Sequence, residues 1–465
     1  MRAIVVLGAL VACKSERAAP VPSPAPADPW GGSAAPPPPE TPAEKRRRAD
    51  VALARVAQIM PKLAALRELT FDHDIPRQYQ STDDFRTFVR AEIAKDLPKA
   101  RSADLSAALH HVGLMPKPGD LAELEERAFT TQAGAYYDPT TKRFFLVMVP
   151  EGDLILDTIS AHELTHGLQD QHFDLDRFMP GGDALDADQQ AARRFVAEGD
   201  ATFTMFLYAI AQMGGGKASP EMVKLLRAQI DQFSTMTPTE MLKQNVLGLG
   251  ASLDPELAQS MEAIHDIPLT VLVPMFDSYL QGAQVVATAY ERGGWKAVDE
   301  LYRDPPESTE QVLHPATKLY PRDHPKRVTL AKPTEGAEIA SLVFGELQWQ
   351  IYFALWSPTR KGVASEGWGG DRVSVTRRGD GRLVARLATV WDSAQDAEEL
   401  ALGYTASLAI RFPKGAGAPA SPAGFDRGDG AGRIFLARRG PKVFIVDGAD
   451  AAGALAELVE TTRIE

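Results

Sequence analysis

His162-Glu163-Leu164-Thr165-His166 constrains this chain more than any other five residues. Two imidazoles four positions apart share a side only on a helix of about 3.6 residues per turn, where both rings can face one point with Glu163 at its edge. That arrangement suits a single metal ion with a carboxylate base beside it, the minimal kit for zinc-assisted hydrolysis. The flanks agree with a helix. Leu154, Ile155, Leu156 and Ile159 precede the motif, Leu164 and Leu168 continue the apolar set, and Asp153 or Asp157 can cap its start. No proline follows the motif until Pro180, so a half-buried helix is expected.

A zinc site that does chemistry usually takes three protein ligands and leaves one position open. Two residues compete for the third place. His172 follows His166 by six residues, but Gln169 stands where a glycine would let the chain turn, and six helical residues rotate a side chain by about 600°, off the face of His166. An imidazole there also suits a helix C-terminus. Glu198 sits among Ala191, Phe195, Thr202, Phe203, Phe206 and Leu207, which recur at helical intervals. A carboxylate embedded in a buried helix needs a cation, which makes Glu198 the stronger candidate. Asp200 points to a different side, toward the surface or a place behind the ligands.

Glu198-Gly199-Asp200-Ala201 resembles the gluzincins, whose second helix supplies a glutamate from a Glu-Gly-x-Ala type sequence. The resemblance implies an α+β fold: a mainly helical zincin-like catalytic domain with a small edge-strand sheet. It implies one Zn2+ ion held by His162, His166 and Glu198, with Glu163 as general base. Residues 134–149 read as two strands around an Asp138-Pro139 turn. In gluzincins and metzincins the strand before the motif helix is an edge strand that pairs with an extended peptide. The resemblance gives that place to residues 144–149, with Phe144, Leu146 and Met148 as the substrate-binding strand.

Tyr279-Leu280-Gln281-Gly282-Ala283 resembles the helix of gluzincin aminopeptidases in which a tyrosine three residues before a glycine stabilises the oxyanion. Tyr279 is the first choice for that role, a core tyrosine being its other reading. His314, in a loop bounded by Pro315, is the second choice, with loop packing as its alternative. Residues 169–175 and 305–315 are similar to stretches of bacterial lipoproteins that carry the zincin motif. The resemblance, over about residues 130–320, implies a peptide or protein substrate. A catalytically inactive zincin-fold lipoprotein, binding peptides or serving the envelope structurally, is the alternative.

The remaining sequence sets the frame. At 465 residues two domains are expected after a leader: residues 46–330 for the zincin-like unit and 331–465 for a small α+β domain. A net charge of -12 disfavours nucleic acid as a partner. Met1-Arg2 precedes an apolar run, and Leu10-Val11-Ala12-Cys13 resembles a lipobox, so residues 1–12 are expected to be a lipoprotein signal peptide. Cys13 is the chain's one cysteine, which rules out an intramolecular disulfide and suits lipidation. Export and lipid anchoring to the cell envelope follow as expectations. Residues 13–45, rich in Pro and Ala, read as a tether. Arg46-Arg47-Arg48 would meet anionic headgroups or simply open a solvated helix.

Residues 49–125 read as largely helical, with Leu53, Val56, Ile59, Leu63 and Leu66 on one stripe and His110 and His111 as structural residues. Beyond a turn-rich boundary at residues 367–371, strands at 372–376 and 383–391, a helix capped by Ser393 and Asp396, strands at 433–437 and 442–446 and a last helix make a ββαββα pattern. Residues 415–432 read as a loop.

Overall fold

Thr41 and Glu44 cap each other's backbone at the start of helix α1 (Pro42–Arg67), with Pro42 in the first turn, where its missing N–H would have no helical partner anyway. The helix therefore begins inside the expected tether. The structure, a computed structural model, describes residues 40–465 apart from 131–133, 151, 216–217, 235–265, 358 and 360–361. The expected signal peptide, Cys13 and most of the tether lie outside the described residues. Ala49, Ala52, Val56, Ile59 and Leu63 form the buried stripe of α1, while Arg46, Arg47 and Arg48 are exposed.

Strands β1 (Arg77–Tyr79), β2 (Ala135–Asp138) and β3 (Arg143–Leu146) form a small sheet in the order β1-β3-β2. This corrects the expected edge strand. β3 pairs with β1 in parallel and with β2 in antiparallel fashion, so both its edges are taken. The Phe144 N–H bonds Pro76 O and the Gln80 N–H bonds Leu146 O, each at 2.9 Å. Phe144 and Leu146 are buried, whereas Met148, 40% exposed, lies past the end of the strand. Residues 143–146 therefore have no free backbone edge for a peptide to pair with. Helices α2 (Thr82–Asp96), α3 (Lys99–Val112) and α4 (Leu121–Thr130) complete this part, with Phe85 and Phe88 packed against the Tyr136 ring.

The motif helix α5 (Asp153–Phe173) is covered on all sides from residue 156 to 170, not half-buried. α1 packs on it, the sheet meets it through β2, and α7 (Ala187–Met213) lies against it, following the short α6 (Leu175–Phe178). Its N-cap is Gly152, with no capping side chain; Asp157 pairs instead with Arg55 of α1 at 2.5 Å. An Asp186–Gln189 capping box opens α7. α8 (Pro220–Ser234) and the long α9 (Leu269–Arg303) follow. At Gly199 of α7 and Gly282 of α9 the two helices touch backbone to backbone. A Cβ on Gly199 would strike the Gly282 carbonyl, and one on Gly282 would strike Phe195 O. Glycine at both positions permits this close approach, which sets α9 beside Glu198.

After α10 (Thr309–Leu313) and β4 (Val328–Thr329) the chain builds a seven-stranded sheet. Its members are β5 (Ala337–Leu342), β6 (Trp368–Arg377), β7 (Leu383–Trp391), β8 (Ala416–Gly417), β9 (Phe425–Asp426), β10 (Arg433–Arg439) and β11 (Lys442–Ala449). The order is β5-β6-β7-β11-β10-β9-β8, with every neighbouring pair antiparallel. Helices α11 (Gly345–Trp356), α12 (Ala394–Arg411) and α13 (Gly453–Thr461) accompany it, and β12 (Arg463–Ile464) pairs with β4. The expected ββαββα pattern is β6, β7, α12, β10, β11 and α13. Residues 368–371, read as a turn, already belong to β6, and the loop at 415–432 contains β8 and β9.

The fold is α+β. One hydrophobic core takes in Phe85, Phe195 and Leu280 from before residue 330 and Trp349, Val373 and Ile445 from after it. Among the described residues no helix is long and apolar enough to cross a membrane.

Candidate metal centre

α5 turns His162 and His166 toward α7, where Glu198 faces them. The two Nε2 atoms are 3.1 Å apart, and Glu198 Oε2 lies 3.3 Å from His162 Nε2 and 3.6 Å from His166 Nε2. Ligands roughly 2.0–2.1 Å from one ion at tetrahedral angles stand about 3.3 Å from each other, so these three atoms have the spacing of one tetrahedral face. Both histidines are fully buried and Glu198 is 4% exposed. Glu198 Oε2 makes no well-aligned hydrogen bond among the described residues. A buried carboxylate in that position is costly without a cation, and two imidazoles with one carboxylate form a donor set that fits zinc.

Burial holds the His162 ring below its ordinary range, toward the neutral form that can ligate. Burial opposes the charge on Glu198, but the two imidazoles facing it outweigh that and lower its carboxyl. Glu163, also fully buried, accepts the Tyr137 N–H at 3.0 Å through Oε2, while its Oε1 has no hydrogen-bond partner among the described residues. Burial, and then the Glu198 charge, raise its carboxyl well above the usual range. The amide that meets Glu163 belongs to β2, an edge strand of the small sheet.

Tyr279, on α9, is buried with its ring 5.7 Å from the His162 ring. His314 lies in a different polar group: its Nε2 is 2.9 Å from Glu346 Oε1 on α11, and burial pushes the nearby Glu310 up to about 8 despite Lys318 at 3.1 Å. The ion pair with Glu346, which raises the His314 imidazole, ties that side chain to α11, so it joins none of the contacts of the triad. His172 bonds Thr70 O at 2.7 Å through Nε2 and is likewise not brought to the triad.

Behind the triad, sequence reasoning missed the roles of Gln169 and Arg67. Gln169 meets His166 Nδ1 at 2.7 Å, and Asp200, expected at the surface or behind the ligands, is fully buried and clasped by Arg67 at 2.9 and 3.2 Å. The i, i+3 spacing of His166 and Gln169 was the signal available for the first; nothing local could announce Arg67. His110 and His111 have the structural roles expected of them, bonding Met115 O and Asp447 O.

Residues 332–458 match a family described as a domain of unknown function (DUF8575). That stretch holds the seven-stranded sheet and part of α13, and none of the triad. No curated protein and no solved structure matches the chain.

Proposed function

We propose that this chain is a zinc-dependent peptidase, held at the cell envelope through a lipid on Cys13, with His162, His166 and Glu198 as the protein ligands. The observation that carries the reading is the 3.1–3.6 Å spacing of the three ligand atoms on two buried helices. Among the described residues, Asp200 and His172, which would otherwise close the site with a fourth ligand, are engaged elsewhere: both Asp200 oxygens by Arg67, and His172 Nε2 by Thr70 O. Three protein ligands leave a position for water.

Zinc bound there would supply Lewis acidity and a water able to lose its proton near neutral pH. With zinc in place, Glu163, next to the first ligand and outside the ligand set, would act as the base, accepting a proton at a carboxylate oxygen and passing it to the leaving amine of a peptide bond. Tyr279, whose ring lies 5.7 Å from that of His162, would be the donor to the developing oxyanion. With β3 paired on both sides, an extended substrate would have to be held by other groups.

One observation favours a second reading. His162, Glu163 and His166 expose no surface at all, which suits a metal that braces α5 against α7 in an inactive zincin-fold module. Zinc analysis tests the ligand set common to both readings: Glu198→Ala should lose the stoichiometric ion and His172→Ala should keep it, and the reverse would overturn the assignment. Full zinc occupancy with no cleavage of any peptide in a quenched library would select the second reading.

A further inference from the structure

Gln169 follows His166 by three residues on α5 and is fully buried. Its side-chain oxygen lies 2.7 Å from His166 Nδ1; its nitrogen lies 2.9 Å from Ala197 O and 3.3 Å from Asp200 Oδ2. The carbonyl of Ala197 can only accept, and the Asp200 carboxylate, bound through both oxygens to Arg67, also accepts. With acceptors on that side, the amide must turn its NH2 toward them and its oxygen toward His166. An amide oxygen cannot donate, so His166 carries a proton on Nδ1, and the neutral ring that ligates a metal then has its lone pair on Nε2, the atom that faces Glu198 and His162.

The amide is itself held from behind. Tyr302 donates to Asp200 Oδ2 at 2.9 Å, and Arg67 reaches on to Asp299 at 2.7 Å, so α1, α7 and α9 all meet at Asp200. His162 is not treated in the same way, since its Nδ1 has no hydrogen-bond partner among the described residues.

We infer that Gln169 is a positioning residue that fixes the tautomer and ring orientation of His166 for zinc, and that Asp200 with Arg67 keeps the Gln169 amide the right way round. The inference rests on the reading of His166 as a ligand.

Its test is the zinc affinity of the full chain, measured by competition with a chromophoric chelator for the wild type, Gln169→Met and His166→Ala. The wild type should bind one ion and His166→Ala should lose it. Gln169→Met, which keeps the side-chain length and removes the acceptor, should bind one ion roughly 10–100-fold more weakly. If the wild type binds no zinc, or His166→Ala binds it as well as the wild type does, the metal reading fails. If His166→Ala loses zinc while Gln169→Met stays within about twofold of the wild type, the metal reading stands and the role of Gln169 is overturned. The zinc-free wild type, labelled with 15N at histidine, gives a readout that needs no folded Gln169 variant and that mere packing would not set. The imidazole signal missing from His166→Ala should report a proton on Nδ1, and a ring whose Nδ1 carries none would refute the proposal.

Discussion

Glu163→Gln is expected to keep one zinc per chain and to cut peptide hydrolysis by about 10²–10⁴-fold, the usual contribution of a general base. The substitution preserves volume, and the amide oxygen of glutamine can still accept the Tyr137 N–H that Glu163 Oε2 now accepts at 3.0 Å. It removes the ability to take a proton from water. Because Glu163 is not one of the three converging side chains, metal content should not change. The comparison is turnover of a quenched-peptide library by the two proteins at equal zinc loading. Undiminished cleavage by Glu163→Gln would remove Glu163 from the role of base.

The second large effect concerns the support behind the site. Arg67 is fully buried at the end of α1, pairs with Asp200 and Asp299 and lies 4.4 Å from the Trp295 ring centre. Methionine would fill much of the same volume but leave Asp200 a buried anion, with Gln169, Tyr302 and Thr204 as its remaining donors. Removing one partner of a buried pair costs about 3–5 kcal/mol, chiefly because the other charge is stranded. Arg67→Met should therefore lower the denaturant midpoint by that much stability, and adding Asp200→Asn should recover part of it. A loss below about 1 kcal/mol would mean that water reaches Asp200.

The two helices of the candidate site were legible because their signals are local. A four-residue histidine spacing needs a helix, and a carboxylate amid Phe195, Phe203 and Phe206 needs a partner. The C-terminal pattern was legible for the same reason: residues 372–376 and 383–391 carry the apolar and β-branched run of strands, and Ser393 announces α12. The failures are non-local. β1, three residues long, is too short to show alternation, yet by pairing with β3 across more than sixty residues it turns the expected edge strand into a central one. α11 went unread because Leu347, Trp349, Ile351 and Phe353 are all buried, a spacing of two that looks like a strand. Arg67 and Asp200 are 133 residues apart, and Gln169, read as the residue that rules out a turn, is also the partner of His166. The fit of α7 to α9 depends on a pair of glycines whose meaning lies entirely in what faces them.

The most direct measurement is a crystal structure of the zinc-loaded chain with data at the zinc absorption edge. The predicted result is one ion bound by His162 Nε2, His166 Nε2 and a Glu198 oxygen at about 2.0–2.2 Å, with a fourth, non-protein oxygen beside Glu163. A zinc ion elsewhere, none at all, or a fourth protein ligand closing the site would contradict it.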